Sequence, residues 1–378
     1  MVSKTDLRPA AGVLAGIGPA RFVDGSRGVY AFETRFDGEN AVSAVVIDSK
    51  GSALNRVEAE LSRAIVDGDP LLSRTPHLRL TYQGRDPVTE LDLPHRFTDG
   101  HIRAGKIEGT PASQHPSYRK IRDANPANAR ALLETSPVSL ILGAWDSTRR
   151  SHQGRYRSAL VGEVIGILAD QSPEGRVPPR RGAGRSDSIA PSVRLAGEAM
   201  EKVVQSQETE LSQGNVDNIR KEISRAKKGT VSGAALGLGS IPPSMDGLGF
   251  VSCRRIVRHH VLSFATLRQL RFGLGVEGDV AARALLAALA LNGLARSDAE
   301  LVLRANCDLV EAGPCVVELD RRDGEAELLD ALTIAEADEL LEQAVAGAVE
   351  VGVRWEGQVL EVEGDAAIAG GIVADEAE

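Results

Sequence analysis

Hydrophobic positions along the chain recur at two periods, and their alternation predicts a mixed fold. Val29–Phe36 and Ala41–Asp48 are rich in β-branched and aromatic residues and flank Asp37-Gly38-Glu39-Asn40, which predicts a hairpin. Leu54, Val57, Leu61 and Ile65 then share one helical stripe behind the capping residue Ser52, and Asp67-Gly68-Asp69-Pro70 ends that helix. His77–Tyr82 and Val88–Leu91 predict short strands, and Pro94 opens a helix to about Arg103. Asn128–Leu133 is helical in composition, Val138–Trp145 is a compact apolar run, and Ala159–Leu168 predicts a strand. Later helices are expected at Asn215–Lys228, Ser263–Phe272, Val280–Leu294 and from Thr333 to about Val349. Leu301–Val310, Val316–Leu319 and Val351–Trp355 have strand character. Short strands interleaved with helices, without a regular βαβ array, predict an α+β fold.

The pattern lapses from Gln171 to about residue 250. Pro173, Pro178, Pro179 and Pro191 alternate there with Arg176, Arg180, Arg181 and Arg185, and Gly229–Gly249 is rich in Gly and Ser. Irregular stretches of that length inside a domain are functional loops or disorder.

Composition narrows the class. A hydrophobic content of 42% supports a real core. No uninterrupted apolar run approaches the roughly 20 residues that cross a bilayer, and Met1–Pro19 lacks a basic start followed by an apolar core. Cys253, Cys307 and Cys315 are odd in number and sparse, which fits a reducing cytoplasm. The expectation is a cytoplasmic protein without a membrane partner.

The net charge of −9 argues against nucleic acid until its distribution is read. Residues 318–378 hold 18 Asp/Glu against Arg321, Arg322 and Arg354, whereas residues 149–271 hold 20 basic and 11 acidic side chains. Phosphate responds to charge within about 10 Å, so local balance is the relevant quantity.

Most chemistry tested against this sequence fails. His259 and His260 are adjacent, so their side chains diverge by about 100° on a helix or to opposite faces on a strand and rarely chelate together. Zinc-type spacing is missing, and the three Cys read as small buried apolar residues, so no metal is expected. Gly16-Ile17-Gly18 and Gly237-Leu238-Gly239 lack the third glycine of a dinucleotide fingerprint. Seven scattered His leave a metal-independent ribonuclease as the alternative reading. Aromatics are only 3%, and Arg27-Gly28-Val29-Tyr30-Ala31-Phe32 only grazes the first RNA-recognition-motif signature. Arginines without rings suggest a grip on phosphate and sugar rather than base readout.

Five segments, in order, resemble the large backbone protein of type I-G (formerly type I-U) CRISPR effectors. They are Asp48-Ser49-Lys50-Gly51-Ser52-Ala53-Leu54-Asn55-Arg56-Val57-Glu58; Leu91-Asp92-Leu93-Pro94-His95-Arg96; Leu142-Gly143-Ala144-Trp145-Asp146-Ser147-Thr148-Arg149 followed by Ser158–Gly166; Leu236–Ser244 with Val261–Phe272; and Leu303–Val310. In the fourth, Phe264-Ala265 stands where the family pattern has a proline. The resemblance runs from about Tyr30 to Val362. It implies a modified RNA-recognition-motif (ferredoxin-like) core with inserted loops and helices forming palm, fingers and thumb. The expected domains are an N-terminal extension over 1–28, one backbone-subunit domain over 29–362 with its basic and Gly-rich insertion at about 171–250, and a disordered acidic tail over 363–378.

The function so implied is CRISPR RNA binding in a Cascade surveillance complex for antiviral defence. Several copies would polymerise along the guide RNA beside other Cascade subunits and present it to target DNA, with cutting left to a recruited helicase–nuclease. No catalysis and no cofactor are expected of this subunit. Candidate RNA contacts are Ser52, Asn55 and Arg56 at a helix start; Ser147, Arg149, Arg150, Arg155 and Arg157 around a turn; Arg180, Arg181 and Arg185 in the Pro-rich segment; and Arg268. Two alternatives stand beside these: Arg56 pairing with Glu60 at helical spacing, and Trp145 buried as core.

Overall fold

A computed structural model describes residues 1–25, 27–146, 148, 154–176, 192–226, 229–239 and 249–369. It has the expected α+β character, organised around a mainly antiparallel sheet. Two compact units divide the chain. The larger comprises Met1–Phe22, Tyr30–Arg176 and Val251–Gly371, and the smaller Val23–Val29, Val177–Phe250 and Ile372–Glu378.

In the larger unit the strands are β1 (Val2–Pro9), β2 (Phe32–Asp37), β3 (Asn40–Asp48), β4 (His77–Thr81), β5 (Leu160–Leu168), β6 (Cys253–Leu262), β7 (Leu309–Glu311), β8 (Val316–Asp320), β9 (Ala326–Leu329) and β10 (Val359–Glu363). Its main helices are α1 (Lys50–Val66), α2 (Pro137–Leu142), α3 (Gly275–Ala299) and α4 (Ile334–Glu350). The main sheet runs β9-β8-β1-β6-β5-β3-β2, antiparallel throughout, and β7 also pairs with β1. In a smaller sheet β4 and β10 pair in parallel.

The first 22 residues of the expected extension over 1–28 are instead part of this framework. Val2–Pro9 is an interior strand, with Ser3 opposite His260 on one side and opposite Val317 on the other. Its positions facing the helices are Ser3, Thr5 and Leu7, all buried, and two of the three are polar. That is why no apolar alternation announces the strand.

One face of the sheet receives α1 and α3. Leu54, Val57 and Leu61 of α1 join Leu160, Leu262, Leu285 and Leu289 in the largest apolar cluster. A second cluster forms around Leu7, Val45, Ile47, Val164 and Ile256. Along β6 the polar pair Arg258 and His260 lies between Ile256 of one cluster and Leu262 of the other, and all four are buried. Gly162 makes room for this band: a Cβ there would overlap the His260 ring.

The helix α3 is long and apolar enough to cross a membrane by length and composition. Its apolar positions go to packing, with Ala282, Leu285, Leu286, Leu289 and Ala290 buried in the main core.

Beyond the helix expected at Asn215–Lys228, the smaller unit gives the insertion a small core of its own. Met200 and Val204 of the helix Gly197–Gln207 pack with Val216 and Ile219 of the helix Gln213–Ala226 and with Val231. The strands Arg194–Ala196 and Thr230–Ser232 pair antiparallel beside them. Five apolar side chains suffice there, too few to register as a period in a segment dominated by Pro, Arg and Gly.

Candidate nucleic-acid interface

Four chain segments of the larger unit are tied together by backbone hydrogen bonds. Ala159 N donates to Ile141 O (2.7 Å), and Ser263 N donates to Ala159 O (2.7 Å). Arg271 N donates to Pro126 O and Ala129 N to Arg271 O, both at 2.8 Å. Proline at the first turn starts α2 without wasting a donor. The helix ends at Gly143, whose φ of +87° suits glycine, and a Cβ there would sit 2.8 Å from Ser158 Oγ and 2.9 Å from Tyr156 O. The chain can therefore return as a tight pair, Ala144 opposite Tyr156 and Trp145 opposite Arg155.

This backbone knot displays cations without consuming them. Arg119, Lys120, Arg155, Arg157, Arg268 and Arg271 are all exposed, and none is ion-paired with a carboxylate among the described residues. Arg271 is oriented by donating to Arg268 O at 2.8 Å. Beneath the turn, the buried Asp146 accepts from Thr148 N (3.0 Å) and Thr148 Oγ1 (2.7 Å) and lies 3.5 Å from Arg103 Nη1. Trp145, expected in the core, is 49% exposed, and the Arg155 guanidinium lies over its ring, 4.3 Å from the centroid.

Not every predicted contact is presented in this way. Ser52 lies at the start of α1, where its N–H donates to Ser49 Oγ at 3.4 Å, and Asn55 is exposed. Arg56 turns inward and its Nη1 meets the buried Asp48 Oδ2 at 2.6 Å. Glu60, the alternative partner, pairs with Arg63 instead (2.7 Å). Arg96 has a similar structural task, holding Glu58 through two bonds of 2.6 and 2.8 Å and donating to Gly143 O at 2.9 Å. Burial pushes the Glu58 carboxyl up to about 7, although Arg96 pulls the other way. Arg155, Arg157 and Arg268 are brought together in the knot, whereas Ser147, Arg149, Arg150, Arg180, Arg181 and Arg185 lie outside the described residues. Arg119, Lys120 and Arg271 are candidate cations that the sequence alone does not single out. Arg119-Lys120 is a visible basic pair, but what makes it relevant is the pairing of the following turn with Arg271.

The two histidines diverge as adjacent strand positions must. His260 is buried, 3.5 Å from Ser3 Oγ, and burial together with Arg258 drives its pKa down to about 3. On the opposite face His259 Nε2 lies 3.1 Å from Glu163 Oε1, and Arg35 clasps the same carboxylate at 3.0 and 3.2 Å. These bonds hold Glu163 down at about 2. Among the described residues no group of three or more His, Cys, Asp or Glu side chains is placed to hold a metal ion.

A cavity of 760 Å³ opens elsewhere in the unit, beside Arg258 and the end of α3. Asp298, Glu311, Asp330 and Glu336 line it, so it disfavours phosphate. The surface best suited to a polyanion is the knot around Trp145, and the segments that build its centre coincide with a known family. Residues 1–171 match the family model of CRISPR-associated protein GSU0053. The match contains β1, the β2–β3 hairpin, α1 and the Trp145–Arg157 turn, and it ends just beyond β5. The matched stretch includes the first 28 residues. No curated protein matches the chain.

Proposed function

We propose that the chain is a non-catalytic CRISPR RNA-binding backbone subunit of a type I-G Cascade complex, gripping the guide by its phosphates and leaving its bases free to pair. The observation that carries this reading is the set of six exposed cations on the knot, without a carboxylate partner among the described residues, with four of the six inside the stretch that matches a CRISPR-associated family. Backbone amides fix the loops while guanidinium groups stay available, which suits contacts that carry no sequence information.

The fold supports the same reading. Taken in chain order, β1, α1, β5, β6, α3 and β8 form a β-α-β-β-α-β succession, and the four strands lie side by side as β8-β1-β6-β5. That is the order of a ferredoxin-like, RNA-recognition-motif core, with the β2–β3 hairpin added at one side. The departure is in the side chains. The motif-like Arg27–Phe32 stretch does not lie on the central strands, since Phe32 begins the edge strand β2. β1 and β6 carry Lys4, Asp6, Val257 and His259 on the face away from the helices, with no Phe, Tyr or Trp ring for base stacking.

In this role further copies of the chain, other Cascade subunits, target DNA and a recruited helicase–nuclease are its partners in the cytoplasm. The ribonuclease alternative gains nothing from His260, which is buried and neutral, or from the Glu163-bound His259. Anisotropy titrations of labelled single-stranded RNA at several salt concentrations test the proposal. Binding should be insensitive to sequence and weaken with salt, with a logarithmic slope of about 0.7 per phosphate neutralised. Absence of binding at low salt, or cleavage of repeat RNA that disappears in His259→Ala, would refute it.

A further inference from the structure

We infer that Trp145 and Arg155 form a stacking platform for one unpaired nucleobase of a single strand. The inference rests on the RNA-binding reading above and adds to phosphate grip a second kind of contact. Three aromatic rings are exposed among the described residues: Phe36, Trp145 and Phe250. Phe36 is followed by Asp37, which already neutralises Arg254 and Arg255, and Phe250 belongs to the smaller unit. Of the three, Trp145 is the ring that sits among available cations.

Its geometry is that of a half-built stack. The guanidinium of Arg155 covers the indole at 4.3 Å, and 49% of the residue remains accessible, about what one free ring face provides. A planar base can lie on that face, or on the outer face of the guanidinium, because both accept π-stacking. The platform is held from below. Trp145 is paired with Arg155 across two short strands, and the next residue, Asp146, is buried and tied to Thr148 and Arg103. An indole kept at the surface in this way gains little from burial in its own fold, so its apolar face is available to a ligand. Stacking ignores base identity, so the contact is compatible with a guide of any sequence.

Intrinsic fluorescence reads this site directly, because the only other tryptophan, Trp355, is buried. The full chain and its Trp145→Phe variant are titrated at low salt with single-stranded RNA, with an abasic strand of equal length, and with single-stranded DNA. RNA should quench the wild-type emission, and the abasic strand should bind without quenching. Trp145→Phe should lose the quench while keeping most of its affinity. Trp145→Ala should lose at least about fivefold in affinity for the base-bearing strand and almost none for the abasic one. Quenching by RNA alone assigns the base to the guide, and quenching by DNA alone assigns it to the target; either supports the platform. Tight RNA binding without quenching, or equal quenching by the abasic strand, overturns the platform but leaves RNA binding standing. Failure of every strand to bind overturns both. Should Trp145→Ala misfold, Arg155→Ala in the wild-type background repeats the comparison: both strands lose its phosphate contact, and the base-bearing strand should lose more than the abasic one.

Discussion

The start of α1 and the Trp145 knot look alike in sequence and have opposite fates in the fold. Both place arginine next to small polar residues at a turn, and both are natural places for phosphate. At α1 the arginines meet buried carboxylates: Arg56 closes on Asp48, and Arg96, from a neighbouring loop, closes on Glu58. In the knot no carboxylate among the described residues pairs with Arg155, Arg157 or Arg268, and the segments are held by main-chain bonds instead. An arginine is thus left for a ligand where the backbone bears the structural task, and is consumed where a buried acid has no other partner. Removing one member of a buried pair strands the other, which makes the first class essential to folding.

The largest effect expected from this contrast is Arg96→Ala. It leaves Glu58 buried alone and also frees Gly143 O, so urea denaturation should show a loss of about 3–5 kcal/mol. A loss below about 1 kcal/mol would place the pair among ordinary surface bridges. Arg56→Ala should cost about 3 kcal/mol for the same reason, yet change RNA affinity less than twofold in the folded protein. An RNA effect as large as that of the knot arginines would erase the distinction between the two regions.

A buried acid without any arginine gives a third test. Glu90 is fully buried and accepts from Leu78 N at 2.7 Å, and burial pushes its carboxyl up to about 8. The folded chain keeps this proton over a range where the unfolded chain, near 4.5, has lost it, so stability falls as pH rises through that window. Between pH 6.5 and 8 the loss from this group should be about 2 kcal/mol, and Glu90→Gln should remove that share in paired urea titrations, leaving the smaller fall from Glu58. The smallest effect in free energy falls on the knot. Replacing Arg155, Arg157, Arg268 and Arg271 together by Ala should weaken RNA binding at least about tenfold and lower the salt slope by about 0.7 for each phosphate no longer held. The melting temperature should move by no more than about 2 °C.

Much of the framework is legible where periodicity is strong. The stripe Leu54, Val57, Leu61 and Ile65 is the buried face of α1, and Asp37–Asn40 joins β2 to β3 as expected. The helix expected over Ser263–Phe272 shortens to Phe264–Leu267, because Arg271 is drawn instead into bonds with Pro126 and Ala129. That pairing reaches across more than a hundred residues and leaves no local signal. The exposure of Trp145 is equally hidden, because tryptophan composition favours burial, whereas its place opposite Arg155 follows from the turn at Gly143. The alternation in β1 is invisible because polar Ser3 and Thr5 occupy the buried side, and the polar band that accepts them comes from β6.

The interior place of β1 also sets the order in which the molecule can be made. Ser3 and His260 are 257 residues apart in the chain, and the strand on the other side of β1, Val316–Asp320, is later still. A nascent chain must carry its first strand with both edges unpaired until the ribosome has produced most of the protein. Such a long wait slows folding and exposes strand edges to wrong partners. A chain built this way is expected to fold slowly, because β1 meets its neighbours only across more than 250 residues.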